Sequence, residues 1–185
     1  MNYQLEIKEF CNLVRKRSEE NKQAVDALYN MALYGQVMSI LRQELDSMIR
    51  CIYLLYQPIE DRKSLINQTL TGKRWQYNNG RIITDKNMVE IANNLQGWTK
   101  SVYKFGCAFI HLSNFHDYEN ADMFTDLDSN EKEDIKQHTN HYHGYDLNQT
   151  LTFLSIKPYL SQVFMKVYGN LECYISDLEN NNNLI

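Results

Sequence analysis

Glycine and proline are scarce in this chain, with seven and two among 185 residues. That is too few for the many turns of a sandwich or barrel, and it suits a few long helices. Cysteines are few and scattered. Cys11, Cys51, Cys107 and Cys173 lie far apart and form no C-x-x-C or other paired spacing. In helical, apolar surroundings they read as reduced, buried thiols of a cytoplasmic protein. No apolar run approaches the roughly 18 residues of a membrane span, and the first segment, MNYQLEIKEFCNLVRKR, places its cations after its apolar residues, the reverse of a secretory signal. Cations are also in short supply overall. The net charge of −4 argues against a broad duplex-binding surface but leaves room for a local basic patch.

What is present is apolar periodicity. Hydrophobic residues make up 43% of the chain, enough for one substantial core. The pattern predicts a helix over 3–17 and a second, long one over 21–56, in which Met38, Leu41, Leu45, Met48, Ile52 and Leu55 form one stripe ended by Pro58. A short helix follows over 59–70. TGKRWQYNNGR (71–81) reads as a loop or short hairpin. From Thr84, a three-four spacing of apolar residues runs from Met88 through Trp98, Phe105 and Leu112 to His116, with Gly97 as a possible break. Residues 117–134 hold eight acids and one lysine, a solvated excursion with a short helix after Ser129. Asp146 is positioned to cap a last helix over 147–179, kinked or divided at Pro158, and the asparagine-rich tail from Asn180 is expected to fray. Together these predict an all-α, up-and-down bundle of four to five main helices, one domain over 1–179 with a tail over 180–185.

Three segments carry candidate chemistry. The first is YKFGCAFIHLSNFHDY (103–118). On a continuous helix Lys104 and His111 differ by only about 20° in direction and about 10 Å in height. Asn114 lies one turn beyond His111, and Tyr118 continues the edge. A histidine titrating near neutral pH and a lysine that stabilises charge at phosphorus are what RNA cleavage needs. A solvated lysine and a hydrogen-bonded boundary histidine fit the same pattern.

The second is ILRQELDSMIRCIYLLY (40–56), where Arg42, Asp46 and Arg50 recur every four residues. Facing His111, the arginines and Glu44 would supply its charge partners. Facing solvent, they would be decoration worth about 0.3–0.5 kcal/mol per pair. The third is the 71–81 loop, where Lys73, Arg74 and Arg81 interleave with Trp75 and Tyr77 as candidate contacts for RNA phosphates and bases. From Arg62 to Lys86 there are six basic residues and one acidic, reversing the sign of the whole chain. Trp75 fits equally well as a core plug.

HTNHYH places His138, His141 and His143 within six residues, but no His-x-x-x-His or Glu-x-x-His pair falls on a predicted helix. The segment DLDSNEKEDIKQ lacks the glycine and glutamate of a calcium loop, with Glu131 and Gln137 in their places. No metal or other cofactor is expected, and His116, on the apolar stripe, reads as a core histidine.

A long second helix of the form apolar-Arg-x-Glu-apolar (Leu41 to Leu45) and a later helix with Lys104, six residues, His111, Leu112 and Ser113 resemble the HEPN superfamily. Its signature is Arg-x(4–6)-His; here lysine replaces the arginine, and Phe105 stands where a polar residue often follows. The resemblance implies a four- or five-helix bundle, commonly a homodimer with two motifs facing one cleft. It implies a metal-independent endoribonuclease or an RNA-binding module, as in toxin–antitoxin and phage-defence systems. His111 and Lys104 would be central, with Arg42, Glu44, Arg50 and Asn114 in support. The alternative is a non-catalytic helical subunit that binds another protein.

Overall fold

A computed structural model describes residues 3–111, 113–118 and 120–184, with Asn114 described by its backbone alone. The chain is all-α, and among the described residues its only β-type pairing is a single bridge between Gln76 and Ile82. The helices are α1 (Tyr3–Asn30), α2 (Tyr34–Leu55), α3 (Ile59–Leu70), α4 (Asp85–Gln96), α5 (Thr99–Ile110), α6 (Ser129–His143), the short α7 (Phe153–Ile156) and α8 (Leu160–Glu179).

Helix α2 is the central element, packed against α1, α4, α5 and α8. The expected stripe Met38, Leu41, Leu45, Met48, Ile52, Leu55 is buried, and so are Val37, Ile49, Cys51 and Leu54 on other faces. A helix apolar around most of its circumference belongs in an interior. Helix α1 covers it with Ile7, Phe10, Cys11 and Val25, and α8 with Leu160, Phe164, Val167, Leu171, Ile175 and Leu178.

The first helical break lies elsewhere than the periodicity predicts. Helix α1 runs through residues 18–20 without interruption, because Ser18 and Asn21 are buried against α2 and keep the helical register useful. The chain turns at Met31-Ala32-Leu33. Leu33 N bonds Leu28 O and Ala32 N bonds Tyr29 O, each at 3.0 Å, with Ala32 in the left-handed region at φ 59°. This is a Schellman stop built without glycine.

The segment from Thr84 does divide at the possible break. Gly97, at φ 78°, ends α4, and α5 begins two residues later. Helix α5 stops at Ile110, and His111 is already extended at ψ 144°. A 3₁₀ turn over Asn114–Asp117 follows, capped by the Ser113 hydroxyl. His116 therefore lies exposed in that turn rather than on a core stripe, and Leu112 lies outside the described residues.

The last helix is also shorter than expected. Asp146 closes a local turn by accepting from Asn148 N, and Thr152 is the residue that caps α7. Pro158 sits in the 3₁₀ turn Lys157–Tyr159 that divides α7 from α8. The segment expected to fray returns to the bundle: Leu184 N donates to Leu55 O at 3.2 Å, and the Asn183 side chain accepts from Arg62. Arg62 is fully buried, has no carboxylate partner among the described residues and donates Nε to Leu54 O at 3.0 Å, so its charge offsets the negative C-terminal end of α2. The cysteines are free, but only Cys11 and Cys51 are buried; Cys107 is half-buried and Cys173 exposed.

Candidate nucleic-acid interface

A groove of about 530 Å³ lies where α1, α2 and the start of α4 meet the 71–83 segment. Each wall is set by a local rule. Gly72 at φ 70° ends α3 and turns the chain outward, so that Lys73 and Arg74 stand exposed on the rim. Trp75 then turns inward. Its Nε1–H donates to Thr69 Oγ1 at 2.7 Å and its ring packs on Tyr53. Gly80 at φ 79° closes the tight turn, where Tyr77 N donates to Arg81 O at 2.9 Å.

The result is four cations from three elements around one apolar floor: Arg17 from α1, Arg50 from α2, and Lys73 and Arg74 from the loop. One acid, Asp85 at the start of α4, lines the same groove.

At the inner edge the charged ladder of α2 takes a definite form. Arg50 Nε donates to Asp46 at 3.0 Å, its Nη2 lies 3.7 Å from Asp85, and its guanidinium lies 5.0 Å from the centre of the Trp75 ring. Arg42 is buried, its guanidinium 3.5 Å above the Tyr103 ring, with Nε donating to Cys107 Sγ at 3.4 Å. Tyr103 donates its hydroxyl to Asp85 at 3.0 Å, and burial pushes its pKa well above the ordinary tyrosine value. Arg42 can sit against α5 because residue 106 is glycine; a Cβ there would lie 2.7 Å from Arg42 Cβ. The ladder is neither free decoration nor a partner for His111. It joins α2 to α4 and α5.

Several expected site residues lie elsewhere. Trp75 is 5% exposed, so it is a core plug and offers no face to a base. Tyr77 is exposed but accepts from Tyr53 OH at 3.0 Å, and it borders a separate small pocket. Arg81 is exposed and outside the groove lining. Glu44 faces α1, fully buried, accepting from the Ser18 hydroxyl and from Asn21 Nδ2 at 2.8 Å. Burial raises its pKa, and both hydrogen bonds oppose that rise. Glu44 and Arg42 are two residues apart on a helix and so point to different sides.

The Lys104–His111 edge is not formed, because its helix ends first. Lys104 is exposed and pairs with Glu131, which itself closes the capping box of α6. His111 is exposed beyond the end of α5. Tyr118 faces inward, its hydroxyl accepting from Gly35 N at 3.4 Å. The side chain of Asn114 lies outside those described. Helices α2 and α5 run antiparallel here, with Ser39 bonding Phe109 O and Arg42 bonding Cys107. Arg50 is therefore about 16 Å further along α2 than the level of Phe109. One chain does not bring its imidazole and the Arg50 guanidinium together.

The three histidines of HTNHYH lie on α6. His138 Nδ1 bonds Asp134 O at 2.8 Å, and the pKa of His143 is lowered by burial and by Lys166. Among the described residues no three His, Cys, Asp or Glu side chains are grouped to hold a metal ion. Among the described residues no helix is long and apolar enough to cross a membrane.

Arg17 was not singled out by sequence reasoning. Its signal was the Arg-Lys-Arg run at 15–17, whose members separate on the helix. Arg15 is tied to Glu172 and Glu179 of α8, while Arg17 faces the groove. Comparison with known proteins found no matching family model, no matching curated protein and no matching solved structure.

Proposed function

We propose that this chain is a HEPN-like RNA-binding module that holds a single strand by its phosphates in the groove between α1, α2 and the 71–83 segment. The observation that carries the reading is the convergence of Arg17, Arg50, Lys73 and Arg74 on one groove in a protein of net charge −4. A random surface of this composition would present more acids than bases. With Trp75 turned inward, the contacts are to backbone phosphates rather than stacked bases, so the binding is salt-dependent and sequence-tolerant. Binding without cleavage is the form the geometry favours, because Lys104 is spent on Glu131 and His111 stands apart from the arginines.

The test is fluorescence anisotropy with a labelled oligouridine over a range of salt concentrations. Lys73→Glu combined with Arg74→Glu is expected to weaken binding by about tenfold or more, the loss of roughly one charge-assisted hydrogen bond. The log–log salt slope should flatten by about 0.7 for each cation lost. Unchanged affinity and slope in that variant would remove the groove from RNA binding.

A further inference from the structure

Behind Asp85, which lines the groove, lies a guanidinium that its own neighbours leave under-bonded. The Arg42 side chain is 8% exposed, yet its acceptors are a thiol at 3.4 Å and the carboxylates of Asp46 and Asp85 at 3.8 and 4.0 Å. Charge-assisted N–H···O bonds close to about 2.7–2.9 Å, and a guanidinium offers five donors. Arg50 Nη2 stands 3.7 Å from the same Asp85, and the Tyr103 hydroxyl donates to it at 3.0 Å. Two guanidiniums and a phenol thus converge on one carboxylate. That carboxylate comes from another helix, is 52% exposed, and of the three is within hydrogen-bonding distance of the phenol alone. Burial keeps the phenol protonated, so it remains a donor.

We propose that Arg42, Arg50 and Tyr103 form a phosphate seat at the edge of the groove, with the Asp85 carboxylate as a built-in occupant that an incoming phosphate displaces. The inference rests on the RNA-binding reading and names the part of the strand that is recognised, an end carrying a phosphate monoester. Asp85 brings one negative charge. An internal phosphodiester also brings one, so exchanging them gains no charge. A terminal monoester carries about −1.5 to −2 near neutral pH, with three free oxygens for the two guanidiniums and the phenol. Asp85, half exposed at the groove surface, can turn to water when displaced.

The experiment compares oligouridines that are identical except for a 5′-phosphate, a 3′-phosphate or hydroxyls at both ends, using the full chain. The wild type is expected to bind one of the phosphorylated strands about tenfold more tightly than the hydroxyl-ended one. Asp85→Asn keeps the shape of the side chain and removes its charge, so it is expected to tighten binding of that phosphorylated strand. Tyr103→Phe, which removes the phenol donor at a residue outside the groove lining, should remove most of the preference while hydroxyl-ended RNA still binds through Arg17, Arg50, Lys73 and Arg74. Thermal melts of both variants establish that they fold. Equal affinity for all three strands, or weaker binding of the phosphorylated strand by folded Asp85→Asn, overturns the seat. If hydroxyl-ended RNA binds wild type but not Lys73→Glu/Arg74→Glu, the groove stands even where the seat falls. Absence of all RNA binding removes both.

Discussion

Two of the candidate segments of this chain meet opposite fates. In the 71–83 segment, glycines at 72 and 80 fix two turns, Trp75 anchors the loop inward, and Lys73 and Arg74 are left facing Arg17 and Arg50 across a groove. Along 104–118, Lys104 folds onto Glu131 and His111 falls past the end of its helix, so the cation and the imidazole part company. The difference is one of framing. Cations next to a buried anchor inherit its position, whereas residues aligned only by an assumed periodicity lose their alignment when the helix stops.

The sharpest way to break this comparison is to reverse charge in the groove and to truncate the side chains of the other segment. Arg17→Glu/Lys73→Glu/Arg74→Glu is expected to lower RNA affinity by about a hundredfold, whereas Lys104→Ala/His111→Ala should leave it within about twofold. Comparable losses in anisotropy titrations would show that the 104–118 edge contributes to binding after all.

A smaller effect is expected where the groove leans on α5. Gly106→Ala places a methyl against Arg42 Cβ and should cost about 1–3 kcal/mol by chemical denaturation, through overpacking. A neutral result would mean that α2 and α5 separate easily and that the position of Arg42 is not imposed by α5.

Glu44, on the side of α2 that faces α1, gives a prediction in pH. Burial raises its folded pKa above the unfolded value, so the folded state binds this proton more tightly. Its contribution is fully present below the unfolded pKa and is lost as pH rises through the folded one. Glu44→Gln should remove that part of the change in melting temperature measured between mildly acidic and neutral buffer. The same dependence in wild type and variant would assign it to other groups.

The smallest effect concerns the turn that the apolar pattern misplaces. Ala32→Gly relieves a left-handed alanine at φ 59° and should stabilise the fold by up to about 1 kcal/mol. Destabilisation would mean that the Ala32 methyl is held by contacts worth more than the strain.

Much of the architecture was legible because it follows from composition and spacing. Scarce glycine and proline gave the all-α class; Pro58 and Gly97 stopped helices where expected, and α3 occupies the predicted span. Three helix ends were not legible, each for a physical reason. The Ala32 stop uses a residue that normally favours helix. Helix α5 yields to a Ser113-capped turn without an intervening glycine or proline, and Thr152, not Asp146, finds the amide to cap. Within the candidate site, Lys73 and Arg74 were readable from their local charge excess, and Arg50 from its ladder. Arg17 was not, since only tertiary packing turns it toward the loop rather than toward α8.

Helix α2 is pinned from two sides. Gly106 admits the Arg42 stem on one, and Ser18 with Asn21 encloses the Glu44 carboxylate on the other. A rotation of one residue would turn the whole set of side chains by about 100°, bringing a carboxylate toward the groove and stranding a guanidinium against α1. Arg50 and Arg42 are thus mounted on a rail that cannot turn. A polyanion that met them would pay little entropy to order its receptor, and the proposed affinity of the groove would rest on preorganisation as much as on charge.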